Sequence, residues 1–219
     1  MNILSDYINN DYKPLDIHET VSAAQDFFVE MPFSHFPVME EGVFVGNLSK
    51  EDVETFDFDK KIIDYKYTLE GFFAKSNSIW IDVLEDFAKN QTTVLPVLDE
   101  NNKYIGYYEI VDVIRFFNET PFLKESGSII IIEKSITEYS FSQISQIVEA
   151  NNGRILGMFI SDSTNGKIQI TIKISAGVMN EIIQTFRRYE YEIISDHQED
   201  NYINNLKERS EYLDKYLNI

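Results

Sequence analysis

The chain has 219 residues, with 19 Lys and Arg against 37 Asp and Glu for a formal net charge of −18, and 43% of it is hydrophobic. Its 16 Phe and 13 Tyr can fill one large or two smaller cores, which excludes a disordered acidic tail. There is no Cys, so a disulfide framework, a thiolate nucleophile and a cysteine metal site are excluded, and with His18, His35 and His197 as its three histidines no histidine-rich metal site is expected.

The opening MNILSDYINNDYKP shows no basic region followed by an apolar stretch. No apolar run approaches the roughly 18 residues of a membrane span, so the expected location is cytoplasmic. So acidic a surface repels phosphates, and neither nucleic acid nor membrane is expected as a partner.

Two segments share a pattern. Val21, Ala24, Phe28 and Met31 fall on one helical face, and Trp80, Val83, Leu84 and Phe87 do the same later in the chain. Phe36-Pro37-Val38 and Leu95-Pro96-Val97 then open short apolar strands. A turn follows at Glu40-Glu41-Gly42 or over Asp99 to Lys103, and return strands run through Val43 to Val45 and Tyr104 to Tyr107. Second helices are expected over Ser49 to Phe56 and Ile110 to Phe117. Pro37 and Pro96 are 59 residues apart, Gly46 and Gly106 are 60 apart, and each Gly precedes an Asp by six residues. A unit of about 50 residues cannot bury its open face alone, so the two copies should pack together. Residues 57–76 read as a connector.

After Ser126-Gly127-Ser128 the pattern changes. Ile129 to Ile132 is an apolar strand. Phe141, Ile144, Ile147 and Val148 have helical spacing, and Asn152-Gly153 supplies a helix stop. Arg154 to Ser161 and Lys167 to Ser175 form a hairpin around Asn165-Gly166, with Ile168, Ile170, Ile172 and Ile174 on one face. Val178, Ile182, Ile183 and Phe186 mark a helix and Tyr191 to Ile194 a last strand. The order βαββαβ is ferredoxin-like. Ile203, Leu206, Ser210, Leu213 and Leu217 then form a helical seam too short for a coiled coil.

FPVMEEGVFVGNLSKED and LPVLDENNKYIGYYEIVD resemble the CBS domain pattern: an apolar-Pro-Val strand, a turn, a strand ending in Gly, then Ser or Thr three residues before Asp. The second copy departs at Glu109, where Ser or Thr is usual. The third segment resembles an ACT domain in its order of elements, without the usual Pro-Gly at the first strand-to-helix turn. The whole is similar to the acetoin-utilisation B-type proteins. The fold expected is α+β: CBS repeat 1 (1–56), a connector (57–76), CBS repeat 2 (77–125), a ferredoxin-like ACT-like domain (126–198) and a C-terminal helix (199–219).

The resemblance implies a non-catalytic regulatory protein. Its regulatory ligand would be an adenosine compound (AMP, ADP, ATP or S-adenosylmethionine) held between the repeats, and the ACT resemblance adds amino-acid sensing as an alternative. Another alternative is a ligandless dimerisation scaffold. Ser49 and Asp52 carry a double meaning. A carboxylate accepts from both ribose hydroxyls while Ser reaches sugar or phosphate, yet Ser-x-x-acid is also a helix capping box. In copy two Asp112 could hold ribose, whereas Glu109 is a poor cap and repels phosphate. Ser34 and His35, matched by Thr93 and Val94, precede the strands where related repeats carry phosphate-binding residues. By the same resemblance His18, Glu19 and Ala24 would line the first adenine pocket and Ser78, Ile79 and Val83 the second, with Phe36 also among the ligand-binding residues. Trp80 could stack on a base but more simply belongs to the core. No catalytic Ser/His/Asp set or phosphate-cradling glycine loop is present, so no enzyme activity is expected. Open strand edges point to a homodimer.

Overall fold

A computed structural model describes residues 4–175 and 179–195. The chain divides into two compact units, Met1–Glu119 and Thr120–Ile219. The terminal helix expected over 199–219, like Val178 and His197, lies outside the described residues.

The first unit runs through one series of elements twice. The first pass has a 3-10 turn at Leu4–Tyr7, β1 (Leu15–Asp16), α1 (Val21–Glu30), β2 (His35–Glu40), β3 (Val43–Ser49) and α2 (Lys50–Thr55). The second has a 3-10 turn at Ile62–Thr68, β4 (Ala74–Lys75), α3 (Trp80–Lys89), β5 (Val94–Leu98), β6 (Tyr104–Glu109) and α4 (Ile110–Asn118). Each pass makes a three-stranded sheet whose outer strand pairs parallel with the Pro-bearing strand, which in turn pairs antiparallel with the Gly-bearing strand. The stretch expected as a plain connector therefore contains a helical turn and the first strand of the second sheet.

The helices form where the apolar spacing puts them. Thr20 caps α1, its hydroxyl accepting from the Ala23 N–H at 3.2 Å, and Val21, Ala24 and Phe28 face inward. In α3 the buried residues are Val83 and Phe87, while Trp80 stacks on Phe117 of α4 with ring centroids 4.8 Å apart. That contact takes one face of the indole and leaves it half-buried beside the second core. Each fully buried side chain such as Phe28 or Phe87 contributes about 1.5–3 kcal/mol by leaving water.

Gly46 and Gly106 show why the pattern repeats. Both have a positive φ, +145° and +144°. At each one, the segment entering the next outer strand passes so close that a Cβ would clash, with Leu69 at 2.8 Å in the first copy and with Ile8 and the Asn9 carbonyl at 2.5 and 2.6 Å in the second. Opposite each glycine the Pro-bearing strand carries a register shift, between Val38 and Met39 and between Val97 and Leu98.

The copies meet about a local twofold. The Ser34 N–H donates to the Thr93 hydroxyl at 2.9 Å and the Thr93 N–H donates to the Ser34 hydroxyl at 2.9 Å. These residues are 59 apart, the same separation as Pro37 and Pro96. Val94 and Tyr107 of the second copy complete the core of the first, with Phe36 and Phe33 both within 6.0 Å of the Tyr107 ring. The two half-modules are one packed body.

The second unit begins with α5 (Pro121–Lys124), followed by β7 (Gly127–Ser135), α6 (Phe141–Ala150), β8 (Ile155–Thr164), β9 (Lys167–Ser175), α7 (Met179–Arg188) and β10 (Glu192–Ile193). The sheet order is β10-β7-β9-β8, antiparallel throughout, which is the ferredoxin-like topology. Ile130, Ile132 and the four alternating isoleucines of β9 pack against Ile144, Val148, Ile182 and Phe186 of the two helices. Asn165 and Gly166, both at positive φ, make the tight turn between β8 and β9. Strict alternation in the sequence leaves the other face of β9 to solvent. Lys173 departs from that. It is buried beneath α5, donating to the Leu123 carbonyl at 3.3 Å with its ammonium 5.9 Å from the Phe122 ring.

Candidate functional site

The strand-to-helix junctions of the first copy supply the site. β3 ends and α2 starts at Ser49, whose hydroxyl accepts from the Asp52 N–H at 3.4 Å. One half of the capping box is therefore made. Ser49 pairs with His35 across the sheet, and no hydrogen bond or ion pair engages the Asp52 carboxylate among the described residues. The Lys50 N–H donates to the Ser34 carbonyl at 2.8 Å, which ties the start of α2 to the residue before β2.

These residues border a cleft of about 510 Å³. Ser34, His35 and the run Ser49 to Asp52 form one wall. Glu70, from the segment entering β4, and Lys89, Asn90 and Gln91, from the end of α3, form the other. Both copies thus contribute. Volumes of roughly 300–1,000 Å³ suit small-molecule ligands.

His35 is the best-anchored polar group there. Its Nδ1 lies 3.0 Å from the Ser34 hydroxyl and its Nε2 3.2 Å from Glu70 Oε1, with the ring edge-on to Phe72 at 5.4 Å. Glu70 is itself placed by Asn47, a fully buried side chain that donates to the carbonyls of Glu70 and Phe72 at 3.1 and 2.8 Å. The charges in the cleft are mixed: Lys50 and Lys89 face Glu51, Asp52 and Glu70, and Lys89 is already paired with Glu85 at 2.6 Å.

Of the residues singled out from the sequence, Ser34, His35, Ser49 and Asp52 come together in this cleft. His18 and Glu19 are exposed and do not border it, while Ala24 and Phe36 are fully buried in the first core. The Ser78 hydroxyl accepts from the Lys75 N–H at 3.2 Å, and Thr93 sits on the local twofold. Asp112 lies apart, in an open hollow beside residues 6–11, held by Arg115 at 2.6 Å. Lys50, Glu51, Glu70 and Lys89 to Gln91 were not anticipated. Lys50 and Glu51 lie inside the singled-out Ser49 to Asp52 run. The end of α3 follows once the local twofold lays one copy's helix beside the other's strand, and Glu70 carried no signal in the sequence.

No helix among the described residues is long and apolar enough to cross a membrane. No curated protein matches the chain. Among solved structures, it is similar to a CBS domain pair/ACT domain protein from Thermotoga maritima, at 23% identity and a TM-score of 0.49, over 54% of this chain and 98% of that one. It is also similar to the cystathionine beta-synthase pair domain of a putative Mg2+ transporter from Shewanella oneidensis MR-1, at 19% identity and a TM-score of 0.48, over 54% and 71%. CBSX2 in complex with AMP matches at 20% identity and a TM-score of 0.46, over 52% and 95%. The family model described as the CBS domain matches residues 4–56 and again 72–119. With two sheets built alike, joined about a local twofold and each matching that family, the first unit is a tandem CBS domain pair.

Proposed function

We propose that the protein is a non-catalytic regulator that senses an adenosine-containing ligand in the cleft between its CBS domains. One observation carries this reading: Ser34, His35, Ser49 and Asp52, the first-copy residues to which the CBS resemblance points for sugar and phosphate, line one cleft of about 510 Å³ together with the end of the other copy's α3. The Asp52 carboxylate accepts from the ribose hydroxyls, Ser49 contributes a hydroxyl beside it, and Lys50 and His35 stand where a short anionic tail would lie. The same mix of charges favours adenosine, AMP or S-adenosylmethionine over a triphosphate.

The ferredoxin-like unit is read as an ACT-like domain. Its outer strand β8, ten residues long, is the edge along which a second copy would pair to give a homodimer. Ligand in the cleft shifts the protein between shapes or partners, by no more than its difference in affinity for them.

Calorimetry and thermal-shift measurements with AMP, ADP, ATP and S-adenosylmethionine test the reading. A specific ligand at 100 times its Kd stabilises the fold by about 2.7 kcal/mol, and Asp52→Ala should abolish that rise. If none of the four shifts the melting temperature at millimolar concentration, the pair is a scaffold rather than a sensor.

A further inference from the structure

The local twofold that builds the first cleft must build a second, and the backbone shows that it does. Where the Lys50 N–H donates to the Ser34 carbonyl at 2.8 Å, the Ile110 N–H donates to the Thr93 carbonyl at 3.1 Å. Where Asn47 and Glu70 exchange backbone hydrogen bonds at 2.8 and 2.9 Å, Tyr107 and Asn9 do so at 3.0 and 2.8 Å. Ser49 is thus matched by Glu109, Lys50 by Ile110, His35 by Val94 and Glu70 by Asn9.

The side chains at these matched positions do the opposite of their partners. In the first cleft Glu70 turns to His35, and the Ser49 hydroxyl and Asp52 carboxylate border open space. In the second, the Asn9 side-chain amide donates to Glu109 Oε1 at 2.9 Å, which ties the segment before β1 across the position where a ligand's sugar would sit. Asp112 is occupied by Arg115. Beside Asn9 and Asp112 lies an open hollow of about 340 Å³ whose border also includes Asp6 and Asp11 but neither Thr93 nor any Lys or Arg. Its field repels phosphate, and Ile110 replaces the lysine that could offset that repulsion.

We propose that the CBS pair takes up one adenosine ligand per chain, in the first cleft alone, and that Glu109, bonded to Asn9, excludes ligand from the second. This rests on the sensing function proposed above and adds the stoichiometry and the residue that sets it. One face of the pair thus answers to ligand while its twofold mate keeps a fixed, self-bonded form. The exposed Asp112–Arg115 pair is weak, so exclusion lies with Glu109 and the surrounding acids.

Isothermal titration of the full chain with AMP, and separately with S-adenosylmethionine, tests this directly. The expected result is one ligand per chain, with binding abolished in Asp52→Ala. Two equivalents per chain, or a site of unchanged affinity in Asp52→Ala, overturns the assignment. In a Glu109→Ser, Ile110→Lys double variant, which copies the first cleft onto the second, the stoichiometry should rise to two. A value that stays at one overturns the role given to Glu109. Absence of binding by the unaltered chain to either compound is a separate result, which removes the sensing function and this inference with it.

Discussion

The two CBS repeats agree in backbone and disagree in the side chains at their clefts. Gly46 and Gly106 have nearly the same positive φ, the register shifts fall at matching places, and Ser34 and Thr93 answer each other across the local axis. Yet one junction carries Ser49 and Lys50 and the other Glu109 and Ile110. The difference teaches that steric and hydrogen-bonding constraints fix the positions holding the two sheets together, while the cleft positions can vary without loss of fold. Substitutions at the matched positions should therefore follow the shared backbone, and those at the clefts should not.

The largest effect is expected at the glycines. Gly106→Ala places a methyl 2.6 Å from the Asn9 carbonyl oxygen at a φ of +144°, whereas Gly46→Ala meets its nearest backbone oxygen at 3.3 Å. Strain of this kind costs about 1–3 kcal/mol for the dihedral alone, so Gly106→Ala should lose about 3 kcal/mol or more in urea unfolding and Gly46→Ala less. Equal losses would show that the close approach of residues 8–10 is not what the second glycine serves.

The junction comes next. Ser34→Ala and Thr93→Ala each remove a partner from a reciprocal pair of hydrogen bonds at 2.9 Å. Each should cost about 1 kcal/mol, and because the bonds share both residues the double variant should cost less than the sum, by about 0.5 kcal/mol or more. Additive losses would mean that the two bonds are independent and the local twofold carries no mutual support. At the helix starts the repeats should part company. Ser49→Ala removes a cap worth about 1 kcal/mol, but Glu109→Ala removes none, since the Glu109 side chain makes no capping bond. With the Asn9–Glu109 bond already removed by Asn9→Ala, a loss on Glu109→Ala comparable to that of Ser49→Ala would contradict that asymmetry.

The duplicated order of elements was legible because it rests on local signals: Val21, Ala24 and Phe28 at helical spacing, Pro37 and Pro96 in strands, and the alternating isoleucines of β9. The four cleft residues that came together were legible through the CBS resemblance, since Ser34 precedes and His35 opens β2, Ser49 closes β3 and Asp52 lies in the first turn of α2, at the junctions its motif marks. Glu70 was not. It reaches the cleft because the buried Asn47 amide anchors its carbonyl from another strand, a long-range contact with no periodic trace. Lys173 failed differently. Strict alternation places it on the open face of β9, but alternation cannot show that α5 folds over that face and gives the ammonium a carbonyl partner.

The smallest predicted effect is a pH dependence at Glu109, with no counterpart at Ser49. Burial, and then the charge of Asp112, hold the Glu109 carboxyl above its ordinary value, while the bond from Asn9 and the charge of Arg115 pull the other way. A carboxyl raised in the folded state favours the fold while protonated. Its contribution is complete below the unfolded pKa and is lost as pH rises through the folded one. At pH 7 the wild-type chain has lost it, and the charge is a burden on the folded state. Glu109→Gln keeps an acceptor for the Asn9 amide but carries no charge, so it should melt at a higher temperature than wild type at pH 7. That advantage should shrink toward zero as the pH is lowered to about 4, near the ordinary carboxylate pKa. A difference that stays constant between those pH values would trace the gain to packing rather than to charge. It would also remove the electrostatic part of the barrier that separates the second cleft from the first.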